Sequence, residues 1–143
     1  MELSSGDFEN NGDMPKELTC DGKDISPHLA WSEPPAGTKS FALSCIDPDA
    51  PMGDWVHWLV CNIPANVTEL QKGQQPPGTE IRNDFGKPSY GGPCPPSGKH
   101  RYVFVVYALD AENLEGVTKD NFPAKVGAST IEKATLIGLY QRG

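Results

Sequence analysis

Asp47-Pro48-Asp49-Ala50-Pro51, with His57 six residues beyond it, is the part of this 143-residue chain that most restricts its structure. A proline fixes its own φ angle and disfavours helical geometry at the residue before it, so Asp47 and Ala50 are expected to be extended. We therefore predict a rigid corner that presents two carboxylates two positions apart. On their own, such aspartates could also cap a turn by accepting hydrogen bonds from backbone N–H groups.

Strands are predicted on both sides of this corner. Residues 40–47 (SFALSCID) alternate in character and predict a half-buried strand that ends at Asp47, whereas residues 56–63 (VHWLVCNI) are nearly all apolar and predict a strand covered on both faces. His57 then lies at the start of one strand and the aspartates at the end of another. Stiff loops between strands are common positions for binding groups.

A second loop has the same design. Residues 91–102 (GGPCPPSGKHRY) are too rich in glycine and proline for a helix or a central strand, and they lead into the apolar run 101–109 (RYVFVVYAL). His100 therefore repeats the placement of His57 at the start of a core strand. If these two strands are neighbours in a sheet, both imidazoles and the aspartates converge on one pocket.

Length and charge restrict the class of protein. One domain, 1–143, is expected at this length. The formal charge of -7 and twelve scattered Lys and Arg residues argue against a nucleic-acid groove and against a basic membrane surface. No apolar run reaches the length of a membrane span, and residues 1–10 (MELSSGDFEN) lack the features of an export signal. We therefore predict a cytoplasmic protein.

The four cysteines show neither a CxxC pair nor zinc-finger spacing. Cys45 and Cys61 lie within apolar strands, which favours buried reduced thiols in a cytoplasmic protein. A cross-strand disulfide between these two remains open if the protein is exported. Cys94 differs because it lies between prolines on the second loop, and the redox state of Cys20 is open.

Outside these loops, the pattern predicts a mainly β fold. Residues 25–31 (ISPHLAW) predict an edge strand because Pro27 interrupts them. Residues 130–139 (TIEKATLIGL) have apolar side chains at roughly helical spacing and predict a helix that Gly138 ends. Many short strands and one C-terminal helical region favour an antiparallel β sandwich with a helix at its edge.

The two loops together resemble the signature regions of the phosphatidylethanolamine-binding protein family, also called the Raf kinase inhibitor family. SPHLAW at residues 26–31 and LYQR at residues 139–142 also resemble its short bacterial and archaeal branch. The resemblance implies a Greek-key β sandwich with a small pocket for phosphate-like anions, including phospholipid head groups. Family members are lipid-binding proteins, inhibitors of kinases or proteases, and signalling scaffolds, without an agreed enzymatic activity.

The resemblance also assigns ligand-binding residues by motif position. The first motif supplies five and the second motif another five. They are Asp47, Asp49, Pro51, Trp55 and His57, followed by Cys94, Pro95, Pro96, His100 and Tyr102. The resemblance implies no catalytic residue, metal or cofactor.

A pocket of this kind needs donors for anion oxygens. The neighbouring aspartates should favour the imidazolium forms of His57 and His100, whose N–H groups then donate, as do the Tyr102 hydroxyl and a loop N–H. Trp55 would supply an apolar wall. We therefore expect the binding of a phosphate-bearing ligand to depend on both histidines and to weaken as they deprotonate.

Three alternatives remain open. Two Asp and two His could hold zinc or manganese in a metal-dependent hydrolase. Cys94 could act with a histidine and Asp47 as a thiol hydrolase, although no helix N-terminus activates it. The chain could also be an interaction protein whose pocket regulates a kinase or protease partner, and a homodimer is compatible with each of these.

Overall fold

The computed structural model describes residues 1–142, and within them the chain is mostly β-strand. The strands are numbered in chain order, with one short 3-10 helix at Lys16–Leu18 between β2 and β3. The strands are β1 Leu3–Ser4, β2 Gly12–Asp13, β3 Leu29–Trp31, β4 Ser40–Asp47, β5 Trp55–Pro64, β6 Glu69–Leu70, β7 Thr79–Ile81, β8 His100–Leu109 and β9 Thr130–Tyr140. One α-helix, α1, spans Phe122–Ser129 and directly precedes β9.

The strands form two sheets. The larger sheet has the order β2-β9-β8-β4-β5-β7 and is antiparallel except for the β2-β9 pair, and the smaller antiparallel sheet has the order β1-β3-β6. A core cluster joins side chains of both sheets, including Trp31 from β3 and Phe41 from β4. The predicted mainly β sandwich is therefore confirmed. The predicted edge position of residues 25–31 is wrong, because Pro27 precedes β3 and leaves its N–H groups free to pair on both sides.

Strand β4 is the centre of the larger sheet and is buried on both faces. Phe41, Leu43 and Cys45 face the smaller sheet, whereas Ala42 packs in a second cluster with Phe122 and Val126 of α1. The predicted half-burial of residues 40–47 is therefore wrong. A helix far along the chain covers the face that local alternation assigned to solvent.

The predicted helix over residues 130–139 is also wrong, because this segment is β9. It pairs with β8 along its whole length, and its buried positions follow a period of two at residues 134, 136, 138 and 140. Gly138 lies within the strand rather than ending a helix. A Cβ at this position would lie against Met14 and Phe8, so glycine permits their close packing on β9.

The sheet brings three strand ends together. Asp47 ends β4, and the antiparallel neighbours β5 and β8 both begin at the same end of the sheet, near His57 and at His100. The strands of the two histidines are not direct neighbours, because β4 lies between them, yet both imidazoles and Asp47 line one pocket. No helix among residues 1–142 is long and apolar enough to cross a membrane.

Candidate functional site

A pocket of about 220 Å³ lies where these strand ends meet. Nine of the ten residues assigned by the two motifs line it, and two others, Ala50 and Phe85, complete the lining. The nine are Asp47, Pro51, Trp55, His57, Cys94, Pro95, Pro96, His100 and Tyr102. The volume is below the usual range for drug-sized ligands, so the pocket suits a small group or the end of a larger molecule.

Asp47 has two roles in this pocket. Its Oδ1 accepts a hydrogen bond of 2.7 Å from the Asp49 N–H, which closes the turn. Its Oδ2 lies 2.7 Å from Nδ1 of His100, and both side chains are buried. Turn capping and site formation were alternative interpretations of this aspartate, and the structure contains both. The carboxylate fixes the His100 ring with its Nδ1–H donating to Asp47.

His57 is held by the second loop. Its ring Nδ1 lies 2.7 Å from the Gly91 carbonyl oxygen, and its backbone carbonyl accepts hydrogen bonds from the Gly91 N–H and from Nδ2 of Asn83. Because a carbonyl can only accept, Nδ1 carries the hydrogen. Burial lowers the pKa of His57, against smaller opposing effects of the Gly91 carbonyl and Asp47. Asp47 favours the imidazolium form of His57, as expected, but desolvation is the larger effect and the net shift of the pKa is downward.

The Tyr102 hydroxyl is the polar group in the pocket that most needs a partner. Tyr102 has no exposed surface, and its hydroxyl makes no hydrogen bond within residues 1–142. The tyrosine ring packs edge to face against His57 at 5.2 Å between centroids. Burial raises the pKa of Tyr102, which keeps it a neutral phenol able to donate.

Asp49 faces away from the pocket and is the one assigned residue that does not line it. Its two oxygens accept hydrogen bonds from Nε and Nη2 of Arg101 at 2.9 and 2.8 Å, and Oδ2 also accepts from the Arg101 N–H. These hydrogen bonds lower the pKa of Asp49 to about 2. Asp49 thus ties the DPDAP turn to the start of β8. Its assignment as a ligand-binding residue stays a prediction, and its place outside the lining favours a structural role.

Cys94 is bonded to Cys20 by a disulfide that spans 74 positions of sequence. Cys45 and Cys61 are buried free thiols, as predicted, and burial raises the pKa of both. The alternative of a disulfide between Cys45 and Cys61 is therefore wrong. The disulfide also removes the free thiolate that the Cys94 hydrolase requires.

Hydrogen bonds fasten the second loop to the segment that carries Cys20. The Tyr90 hydroxyl donates to the Leu18 carbonyl at 2.8 Å, the Gly92 N–H donates to Oδ1 of Asp24 at 2.7 Å, and the Cys20 N–H donates to the Pro93 carbonyl at 3.1 Å. A Cβ at Gly92 would overlap Asp24 and the Leu18 carbonyl, so this close approach requires glycine. The loop that orients His57 is thereby fixed from outside the pocket.

Sequence reasoning missed Phe85 and Asn83. Phe85 packs edge to face on His57 and Trp55, and with Trp55 it forms an apolar rim of the pocket. Asn83 is buried, and its Nδ2 donates to the carbonyls of His57 and Ser89. A single asparagine two positions before a phenylalanine is too common to indicate a site. The one available signal was an aromatic residue in a polar, turn-rich segment.

Within the described residues, no three His, Cys, Asp or Glu side chains are grouped so that they could hold a metal ion. The four residues considered for a metal are divided, since Asp49 pairs with Arg101 and Asp47 with His100. The metal-dependent hydrolase therefore gains no support from this geometry.

Comparisons with known proteins agree along nearly the whole chain. The model of a family described as phosphatidylethanolamine-binding protein matches residues 4–141. A UPF0098 protein from Aquifex aeolicus is 45% identical over 152 residues, covering 99% of this chain and 89% of the relative. The solved structure of the phosphatidylethanolamine-binding protein homolog CT736 from Chlamydia trachomatis has a TM-score of 0.93 at 38% identity, covering 99% of this chain and 97% of that chain. Escherichia coli YbcL, reported as a new member of the mammalian PEBP family, has a TM-score of 0.93 at 34% identity, covering 99% and 98%.

Proposed function

The chain belongs to the phosphatidylethanolamine-binding protein family, and from this premise we propose that its pocket binds a small phosphate-bearing or other oxyanionic ligand, such as a phospholipid head group. The observation that carries the proposal is the buried Tyr102 hydroxyl, which has no hydrogen-bond partner within residues 1–142. An unpaired buried hydroxyl is costly, so its persistence in a pocket points to a partner supplied by a ligand.

The lining also contains Cys94, which offers a second donor. Prolines at positions 93, 95 and 96 have no N–H group, so Cys94 is the one residue of this run that can donate from its backbone. Among the described residues its N–H has no partner. The disulfide and the prolines hold this N–H in place before binding, which limits the entropy lost when a ligand is captured.

The apolar rim supports a ligand with an organic part. Trp55 and Phe85 pack on each other and remain more than one third exposed beside the mouth of the pocket. A phosphate group at the bottom would leave its substituent against these rings. The same exposed rim is where a kinase or protease partner could sense whether the pocket is filled, so partner regulation is part of the proposal.

We propose that the protein is a binding protein rather than an enzyme. The pocket lining contains no Ser, Thr, Lys or free Cys among residues 1–142, so it offers no hydroxyl or thiol nucleophile of the usual kinds. The cytoplasmic location and the homodimer stay predictions. The disulfide weighs against a reducing compartment.

Calorimetric titration tests the proposal. Phosphate, phosphoethanolamine and a short-chain phospholipid are titrated into the wild type and into the Tyr102→Phe and His100→Ala variants. His28→Ala is the matched control, because His28 bonds the Gly6 N–H and Glu69 outside the pocket. Binding by the wild type and the control that weakens in both pocket variants is expected. If no ligand binds to protein freed of carried-over ligand, the proposed function is wrong.

A further inference from the structure

We infer that this pocket selects oxyanions that carry their own O–H group, namely hydrogen phosphate and singly protonated phosphate monoesters, over phosphate diesters and sulfate. The inference rests on the proposed function, since it concerns which anion the same pocket accepts. The pocket would then prefer free phosphate or a phosphate monoester to an intact phospholipid, because the phosphodiester of the phospholipid has no hydrogen on its phosphorus-bound oxygens.

The hydrogen-bond geometry of His57 carries the first step. Nδ1 must donate to the Gly91 carbonyl at 2.7 Å, because the carbonyl oxygen has no hydrogen to give. In the neutral ring, Nε2 therefore carries a lone pair and acts as an acceptor. A ligand oxygen placed against Nε2 is attracted if it bears a hydrogen and repelled if it bears only lone pairs.

The charge of the pocket carries the second step. Within residues 1–142, neither Lys nor Arg contributes to the lining, and the nearby Arg101 is already paired with both oxygens of Asp49. The buried carboxylate of Asp47 adds negative charge beside His100. A fully ionised anion would face this carboxylate without a compensating lysine or arginine. A protonated anion carries less negative charge and also supplies the hydrogen that Nε2 of His57 can accept.

If His57 took up a second proton, Nε2 would donate to any anion, and the preference for protonated anions would be lost. The titratable groups that face His57 are Asp47 and Asp24, which favour a proton on the ring, with Tyr102 and His100 beside it. Burial outweighs the carboxylates and lowers the pKa of His57. The neutral ring is thus the form that the fold favours.

The test compares four anions by calorimetry at about pH 6: inorganic phosphate, methyl phosphate, dimethyl phosphate and sulfate. Dimethyl phosphate and sulfate should bind about tenfold or more weakly, since each leaves the Nε2 acceptor unpaired. Raising the pH to about 8 reduces the protonated fraction of methyl phosphate about fiftyfold, and its affinity should fall by a similar factor. Inorganic phosphate keeps an O–H at both pH values and should lose less.

Two variants complete the experiment. His57→Leu removes the acceptor and should abolish the preference for phosphate over sulfate, while His28→Leu should retain it; urea unfolding checks that both are folded. If His57→Leu does not fold, the wild-type comparison of methyl and dimethyl phosphate decides alone. Equal binding of dimethyl phosphate, sulfate and phosphate by the wild type overturns the inference but leaves anion binding intact. Absence of binding by all four anions overturns the proposed function as well.

Discussion

Replacing Tyr102 by Phe should stabilise the ligand-free protein and lower its affinity for the ligand. The hydroxyl is fully buried and unpaired within residues 1–142, and an unsatisfied buried polar group costs about 1–3 kcal/mol. Phenylalanine keeps the ring and its packing against His57. The free energy of unfolding of the ligand-free variant should therefore rise by about 1 kcal/mol, which urea denaturation measures.

Ligand affinity should change in the opposite sense. A hydrogen bond to a charged acceptor contributes about 1.5–3 kcal/mol, so phosphate should bind about 10- to 150-fold more weakly to Tyr102→Phe. Calorimetric titration of ligand-free protein measures this loss. The two results together would mean that the Tyr102 hydroxyl destabilises the ligand-free protein and forms a hydrogen bond when the ligand is bound.

Tyr107→Phe is the matched control, because it lies on the same strand and its hydroxyl is 3.1 Å from Oγ of Ser44. This variant loses an existing hydrogen bond and should be destabilised by about 0.5–1.5 kcal/mol without a change in phosphate affinity. If Tyr102→Phe were destabilised as much as Tyr107→Phe, the Tyr102 hydroxyl would have a partner in the folded chain. Unchanged phosphate affinity would remove Tyr102 from the ligand site.

Three other predictions concern His57, the disulfide and Asp49. Because burial lowers the pKa of His57, the unfolded chain binds a proton there more readily than the native state does. The free energy of unfolding should therefore decrease as the pH is lowered beneath about 6.5. If the pH profile of unfolding of the wild type runs parallel to that of His57→Gln, the prediction is wrong. Reduction of the Cys20–Cys94 disulfide should lower the free energy of unfolding by about 4 kcal/mol in the chain-entropy model, and unfolded protein should expose two reactive thiols before reduction and four after it. Asp49→Asn should cost about 0.3–1 kcal/mol, because its pair with Arg101 is partly exposed, and a loss of phosphate affinity would return Asp49 to the ligand site.

The long central strands could be predicted from sequence because their signals are local. The predicted segment 40–47 coincides with β4, 56–63 lies within β5, and 101–109 lies within β8. The first alternates in character and the other two are apolar runs, and turn-forming or charged residues lie close to their ends, so pattern and turn chemistry agree. What covers each strand is a property of distant segments, which is why the second buried face of β4 was not predicted.

Strand β9 illustrates how pairing overrides a local pattern. Ile131, Ala134 and Ile137 fit helical spacing, whereas Ala134, Leu136 and Gly138 fit the alternation of a strand, so the sequence alone allows both. The unpaired edge of β8 decides between them, because β9 satisfies the backbone groups of that edge along its whole length. The helix forms instead just before β9, where Pro123 is tolerated in the first turn.

The members of the site could be predicted, but their partners could not. Nine of the ten residues assigned from the two stiff loops lie among the eleven that line the pocket. The spacing of residues does not reveal that Arg101 pairs with Asp49 or that Cys20, 74 positions away, forms a disulfide with Cys94. Such pairings depend on which surfaces meet after folding, and a single sequence carries no signal for them.

These unpredicted partners change the chemistry of the pocket. The residues that sequence reasoning treated as charged or reactive each have a partner: Asp47 pairs with His100, Asp49 with Arg101, and Cys94 with Cys20, while burial lowers the pKa of His57. What remains for a ligand is the neutral acceptor at His57, the Nε2 atom of His100, the Tyr102 hydroxyl and the Cys94 N–H. A phosphate binds such a site through the pattern of its donors and acceptors more than through its net charge, so the proton on the ligand becomes the feature that the pocket recognises.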